Sequence, residues 1–168
     1  MLSKVVHPWE PIFDEKSRVL ILGSIPSPKS RENGFYYGHP QNIFWVTLAK
    51  LFGIEPPADD PFHKTEFLLE NNIAIWDVLH SCDIDGASDL SIKNTVPNKF
   101  KPLIEKSQIS SVFTTGKKAT ELFNSLCEDE AGIKSIYLPS TSPANRGQQA
   151  KAEFWELWNQ VKLAVEKE

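Results

Sequence analysis

Cysteine is scarce in this chain. Its two residues, Cys82 and Cys127, lie far apart and outside any CxxC pattern, so neither a disulfide framework nor a zinc or iron–sulfur ligand set is supported, and no metal site is expected. Long apolar runs are absent as well. Nothing approaches the ~18 residues needed to span a bilayer, and the polar opening MLSKVVHPWEPIFDEKSR has no signal-peptide pattern. The expectation is a cytoplasmic protein without a membrane partner, associated with the nucleoid if the source is a bacterium. There is no internal repeat, linker or low-complexity tract, and no GxSxG elbow to suggest a serine hydrolase of the α/β class.

What is present suffices for a core. The 168 residues are 40% hydrophobic, 24% charged and 11% aromatic, which excludes global disorder and fits a single domain over 1–168. The net charge of −4, taken alone, argues against a nucleic-acid binder. Its distribution argues otherwise, because residues 91–120 hold Lys93, Lys99, Lys101, Lys106, Lys117 and Lys118 against Glu105 alone. Either these lysines form a basic face, or they are a chance cluster on a solvated surface.

Short apolar runs predict four strands, the first two buried: RVLILG at 18–23, IAIWDVL from Ile73, SSVFTTG from Ser110 and KSIYL at 134–138. Helical spacing predicts helices opened by Asn42 over IFWVTLAKLF with Gly53 as the stop, and over 62–70, 98–106, 117–127 and 148–166. The stretch SCDIDGASD reads as a polar turn. Strands alternating with helices imply an α/β fold, a three-layer α/β/α sandwich on a short, mostly parallel sheet of about four strands. Ligands of such sheets bind beyond the carboxyl ends of the strands, where the loops 24–41 and 139–147 follow predicted strands.

The first of these loops begins GSIPSPKS at 23–30, close to a phosphate loop. Pro28, however, stands where the final glycine belongs and has no N–H to give a phosphate, which argues against a nucleotide triphosphatase. Further on, GFYYGHPQNIFW at 34–45 sets three aromatics, a histidine and an amide at the mouth of a helix.

With these strings in view, the chain resembles the uracil-DNA glycosylase superfamily. The resemblance rests on Gly23 followed by Gly38-His39-Pro40-Gln41-Asn42-Ile43-Phe44-Trp45, and on LPSTSPAN at 138–145 as a second motif. The mismatch-specific branch reads GxNPG where this chain has Gly23-Ser24-Ile25-Pro26-Ser27, and Ile25 cannot orient water. The hypoxanthine-DNA glycosylase branch is similar in YYxHP (Tyr36–Pro40), WDVLxSC (Trp76–Cys82) and LPSTSPAN (Leu138–Asn145).

That resemblance implies a glycosylase acting on DNA that contains a deaminated base: hypoxanthine first, uracil or mismatched thymine next. No lysine sits inside either motif to act as a Schiff-base nucleophile, so a monofunctional enzyme without a cofactor is expected, as a monomer. An excised base must leave the stack, so an aromatic face has to replace its lost neighbours. Tyr37 is at the position implied for that role. Asn42 is implied as the catalytic residue, its amide oxygen orienting water at C1′; read from spacing alone, it is as well a helix cap. Gly23, Ser24 and His39 are implied around the base, although His39 equally fits a backbone-bonded imidazole in a proline turn. Ser140, Thr141, Ser142, Pro143, Ala144, Asn145 and Arg146 are implied contacts to DNA, with Pro143 and Ala144 as a small wedge. Asp77 reads either as a polar strand end lining the pocket or, preferably, as a helix cap. The runner-up reading is a DNA- or protein-binding module that has lost its chemistry.

Overall fold

The computed structural model describes residues 1–167. In chain order the elements are β1 (Ser3–Val6), β2 (Val19–Gly23), α1 (Pro28–Asn33), α2 (Phe44–Phe52), α3 (Pro61–Glu70), β3 (Ile73–Asp77), β4 (Leu79–Asp85), β5 (Ser88–Pro97) and α4 (Lys101–Glu105). They continue with β6 (Ser111–Thr115), α5 (Lys117–Leu126), α6 (Glu128–Ala131), β7 (Ser135–Leu138), a 3-10 turn (Pro143–Asn145), α7 (Arg146–Gln149) and α8 (Ala152–Glu166).

The four apolar runs pair as one parallel sheet in the order β3-β2-β6-β7, with Val19 opposite both Ile73 and Ser111. All five residues of β2 are buried, which is why this strand reads as a continuous apolar run rather than an alternation. Its side chains still divide by parity. Leu20 and Leu22 face a core built with Phe100, Leu103, Leu122 and Phe123 of the α4 and α5 side, while Val19 and Ile21 face Phe44, Leu48, Leu68, Phe154 and Trp158 of α2, α3 and α8. The result is the expected α/β/α sandwich. Each fully buried side chain of this size contributes roughly 1.5–3 kcal/mol.

Several elements depart from the sequence reading. The stretch SCDIDGASD is not a bare turn: most of it belongs to β4, which pairs antiparallel with β1 and β5 in a second, three-stranded sheet. In this sheet polar residues alternate with the buried Cys82 and Ile84 of β4 and Ile92 of β5, so one face joins the core and the other meets solvent. The loop 24–41 contains the one-and-a-half-turn helix α1, capped by Ser27, whose hydroxyl accepts from the Ser30 N–H. The helix expected at 98–106 begins only at Lys101, and the one expected at 148–166 is broken between α7 and α8. Among the described residues, no helix is long and apolar enough to cross a membrane.

Candidate active site

Because the strands of the larger sheet are parallel, Gly23, Asp77, Thr115 and Leu138 all end at the same edge. Beyond that edge lies a cavity of about 320 Å³, at the lower end of the range for small-molecule sites. It is walled by the loop after β2, the loop after β7 and the β4–β5 hairpin. Ile43 N–H donates to the Thr141 carbonyl at 3.1 Å, tying the two loops together beside it.

Tyr37 and Asn42 both line this cavity. The Tyr37 ring stacks on Phe44 with centroids 3.8 Å apart and planes 6° apart, so the first residue of α2 backs it on one face. Tyr37 has φ +50°, a left-handed conformation that a bulky residue rarely adopts. The bend is held from both sides of Gly38, whose N–H donates to Ser30 Oγ and whose carbonyl accepts from Asn33 Nδ2. Asn42 Oδ1 accepts from the Phe44 N–H at 2.9 Å, an Asx turn at the first helical residue rather than a bond to the third. That bond fixes the carboxamide, and among the described residues the second lone pair of Oδ1 and both Nδ2 hydrogens have no other partner.

The cavity floor is crowded with oxygen. A Cβ on Gly23 would stand 2.7 Å from Asp77 Oδ1, 3.5 Å from the Tyr37 hydroxyl and 3.7 Å from Thr115 Oγ1, so these three atoms surround the bare glycine. Asp77 is 4% exposed and caps no helix. Its Oδ2 meets His7 Nε2 at 2.7 Å, and Asn98 Nδ2 donates to its main-chain carbonyl at 2.9 Å. Burial pushes the Asp77 carboxyl above the usual carboxylate range, opposed by the hydrogen bond and electrostatic attraction of His7 and by a hydrogen bond from the Gly23 backbone. Burial likewise pushes the Tyr37 phenol up, reinforced by the Asp77 charge. The Tyr37 hydroxyl and Thr141 Oγ1 are buried without a hydrogen-bond partner among the described residues, which is the state of groups left for a ligand or solvent to satisfy.

Of the residues singled out in the sequence, Gly23, Ser24, Tyr37, His39 and Asn42 line the cavity together with Ser140, Thr141, Ser142, Pro143 and Ala144. His39 Nδ1 accepts from the Gln41 N–H at 3.0 Å, so the backbone-bonded reading holds for that nitrogen, with Nε2 as the other ring atom. Asn145 and Arg146 are not brought in. Asn145 Nδ2 instead donates to the Ser140 carbonyl, and Gln149 Nε2 bonds the Ser140 and Ser142 carbonyls, bracing the loop from behind. The lysine segment is divided: Lys99, Lys101 and Lys106 border a separate hollow with Glu105 and Glu130, whereas Lys117 and Lys118 open α5 near the sheet edge.

Sequence reasoning misses the hairpin and part of the floor. Ile84, Gly86, Ala87 and Asp89 of the hairpin form part of the wall, Thr115 adjoins the floor, and Ser24 Oγ donates to Asp89 Oδ1 at 3.4 Å. Asp77 is the pocket-lining strand end, the less favoured of its two sequence readings, and His7 carries no local signal. Among the described residues, no group of three His, Cys, Asp or Glu side chains is arranged to hold a metal ion.

Comparison with known proteins bears on this cavity. The family model described as the uracil DNA glycosylase superfamily matches residues 10–162. A protein of Methanosarcina barkeri named hypoxanthine DNA glycosylase is 34% identical over 82% of this chain and 87% of its own. One of the same name from Methanosarcina acetivorans is 34% identical over 80% and 85%. The solution NMR structure of a candidate uracil DNA glycosylase from M. acetivorans superposes with a TM-score of 0.79 at 30% identity, covering 99% of both chains. A match over most of the length, joined to a parallel-sheet fold with its cavity at the expected edge, shows that the chain belongs to the uracil DNA glycosylase superfamily and is a DNA glycosylase.

Proposed function

We propose that this glycosylase extrudes a deaminated base from DNA and releases it by attack of water at C1′, with hypoxanthine as its first substrate and uracil or mismatched thymine next. It acts as a monomer of one domain, in the cytoplasm, without a cofactor. The observation that carries this reading is the meeting of Tyr37, Asn42 and Asp77 in one cavity beside a glycine that keeps the floor open.

Each has work suited to its chemistry. The Tyr37 ring, backed by Phe44, gives an extruded base the stacking it leaves behind, typically about 1–3 kcal/mol per base. Asn42 cannot serve as a strong base, but its fixed amide oxygen orients a water for attack. The electron pair of the broken C1′–N bond leaves with the base, water adds to the sugar cation to form the new C–O bond, and the proton it sheds passes through solvent to the departing base anion. His39, at the cavity mouth, supplies a ring N–H toward that developing negative charge. The floor sets an acceptor, Asp77 Oδ1, beside Gly23. That oxygen complements the ring N–H shared by hypoxanthine and uracil. Residues 140–146 hold the flanking backbone, with Pro143 and Ala144 as a compact wedge and Arg146 reaching a phosphate.

Incubation of the protein with duplexes carrying inosine, uracil or only intact bases, followed by alkaline cleavage at abasic sites, tests the reading. Strand scission at inosine, then at uracil, is expected. Ile25 lines the cavity where another branch carries asparagine, which favours a second reading as a binding module. DNA affinity with no base release from any duplex would support that module and refute the glycosylase.

A further inference from the structure

His7 lies in the segment just after β1, ahead of residues 10–162 that match the family model. Its side chain is nevertheless 2% exposed and bonded to a residue of the cavity floor 70 positions later in the chain. From this geometry we infer that His7 is a positioning residue of the excision reaction, holding the Asp77 carboxylate as an anionic acceptor turned toward the base. The inference rests on the proposed function, since it assigns a support to that same site.

The tautomer follows from the hydrogen bonds. His7 Nδ1 accepts from the Trp9 N–H at 3.2 Å, so the ring proton resides on Nε2 and is donated to Asp77 Oδ2 at 2.7 Å. The imidazole is wedged among Trp9, Tyr36 and Trp76, with centroids 5.7 to 6.3 Å away, and has little freedom to turn. One carboxylate oxygen is thereby occupied and the other, Oδ1, is left beside Gly23.

The titratable groups facing Asp77 from its neighbours are His7 on one side and Tyr36 and Tyr37 from the loop before α2. The remaining neighbours, Gly23, Thr115 and Asn98, do not titrate in the working range. His7 is therefore the one side chain in this set that favours the charged form. Without its N–H the buried carboxyl binds a proton at a higher pH and no longer accepts from a base N–H.

The test compares wild type with His7→Leu, which keeps bulk without a donor, and His7→Gln, whose amide nitrogen reaches about as far as Nε2. Single-turnover excision of hypoxanthine from an inosine duplex is followed from pH 5 to 9.5, with thermal unfolding as the check on folding. In His7→Leu the acid limb moves up by about one pH unit or more, an about tenfold loss below the limb that is recovered at high pH. His7→Gln keeps the wild-type limb. If Leu at this site prevents folding, His7→Asn replaces it: the shorter amide falls short of Asp77 and moves the limb while His7→Gln does not. A loss equal at every pH, an unmoved limb, or a His7→Gln profile that shifts as far as the other variant would each overturn the assignment. Absence of release by the wild-type protein would instead defeat the proposed function, so the two failures are distinct.

Discussion

The smallest informative perturbation is one methyl group, Gly23→Ala. Gly23 lies at the end of β2 outside the left-handed region, so an alanine fits the backbone, and the change can stabilise by about 0.4–1 kcal/mol through the unfolded chain. The added Cβ, however, lands 2.7 Å from Asp77 Oδ1, an approach that such atoms essentially never make. The carboxylate has to retreat by roughly half an ångström, which stretches a 2.7 Å bond to His7 toward the ~3.2 Å limit of good geometry. Overpacking of this kind costs about 1–3 kcal/mol, so the variant stays folded, with a net loss of no more than about 2.6 kcal/mol. Catalysis suffers more. A hydrogen bond to a charged group is worth about 1.5–3 kcal/mol, and its loss from the transition state lowers kcat/KM about 10- to 150-fold. Single-turnover excision of hypoxanthine measures this, with thermal unfolding recorded on the same samples. Gly147→Ala is the control, because a Cβ there meets nothing within 4 Å. Wild-type kcat/KM in Gly23→Ala would refute the floor as the place where the base edge is read.

Asn42→Ala is expected to lower excision of hypoxanthine and uracil by about a hundredfold or more, the scale of losing a pre-oriented polar group, and unchanged rates on both would remove it from the reaction. Tyr37→Phe keeps the stacking face and deletes only a buried, unpartnered hydroxyl, so the melting temperature is equal or higher and excision stays within about threefold of wild type. A fall in both would contradict that reading. Asp77→Asn carries a pH signature. Burial raises the folded-state pKa of Asp77, so the folded protein binds more protons than the unfolded chain above the ordinary aspartate pKa, and stability is lost as pH rises through that interval. The amide removes this penalty, so the variant melts higher than wild type at pH 8 and the difference shrinks toward pH 4; a constant difference would show that the carboxyl is not perturbed. Arg146→Glu is expected to weaken binding to all duplexes alike and to flatten the salt dependence, and an unaltered salt slope would place Arg146 off the DNA.

The parallel sheet was legible because continuous buried runs such as VLILG and IAI leave no doubt about burial, and because glycine or aspartate ends these strands at the same edge. The cavity followed from topology, since ligands collect at that edge. The smaller sheet was not legible. Strands with one wet face read as polar, and Asp83, Asp85 and Gly86 mimic a turn, so only pairing with β1 reveals β4 as a strand. Asp77 illustrates the same limit at the site: an aspartate after an apolar run is the commonest kind of cap, and nothing local distinguishes it from one that bonds a histidine 70 residues earlier. His7 itself sits in an opening segment whose polarity concealed a buried role.

The left-handed turn at Tyr37 has a thermodynamic meaning. Forcing an aromatic residue to φ +50° costs the folded protein roughly 1–2 kcal/mol, a debt incurred once, during folding, and not with each nucleotide. Gripped by its bend and stacked flat against Phe44, the phenol ring is held in place by the protein's own contacts. In the proposed reaction an arriving base would meet an anvil rather than a hinge, with none of its stacking energy diverted into freezing a rotamer.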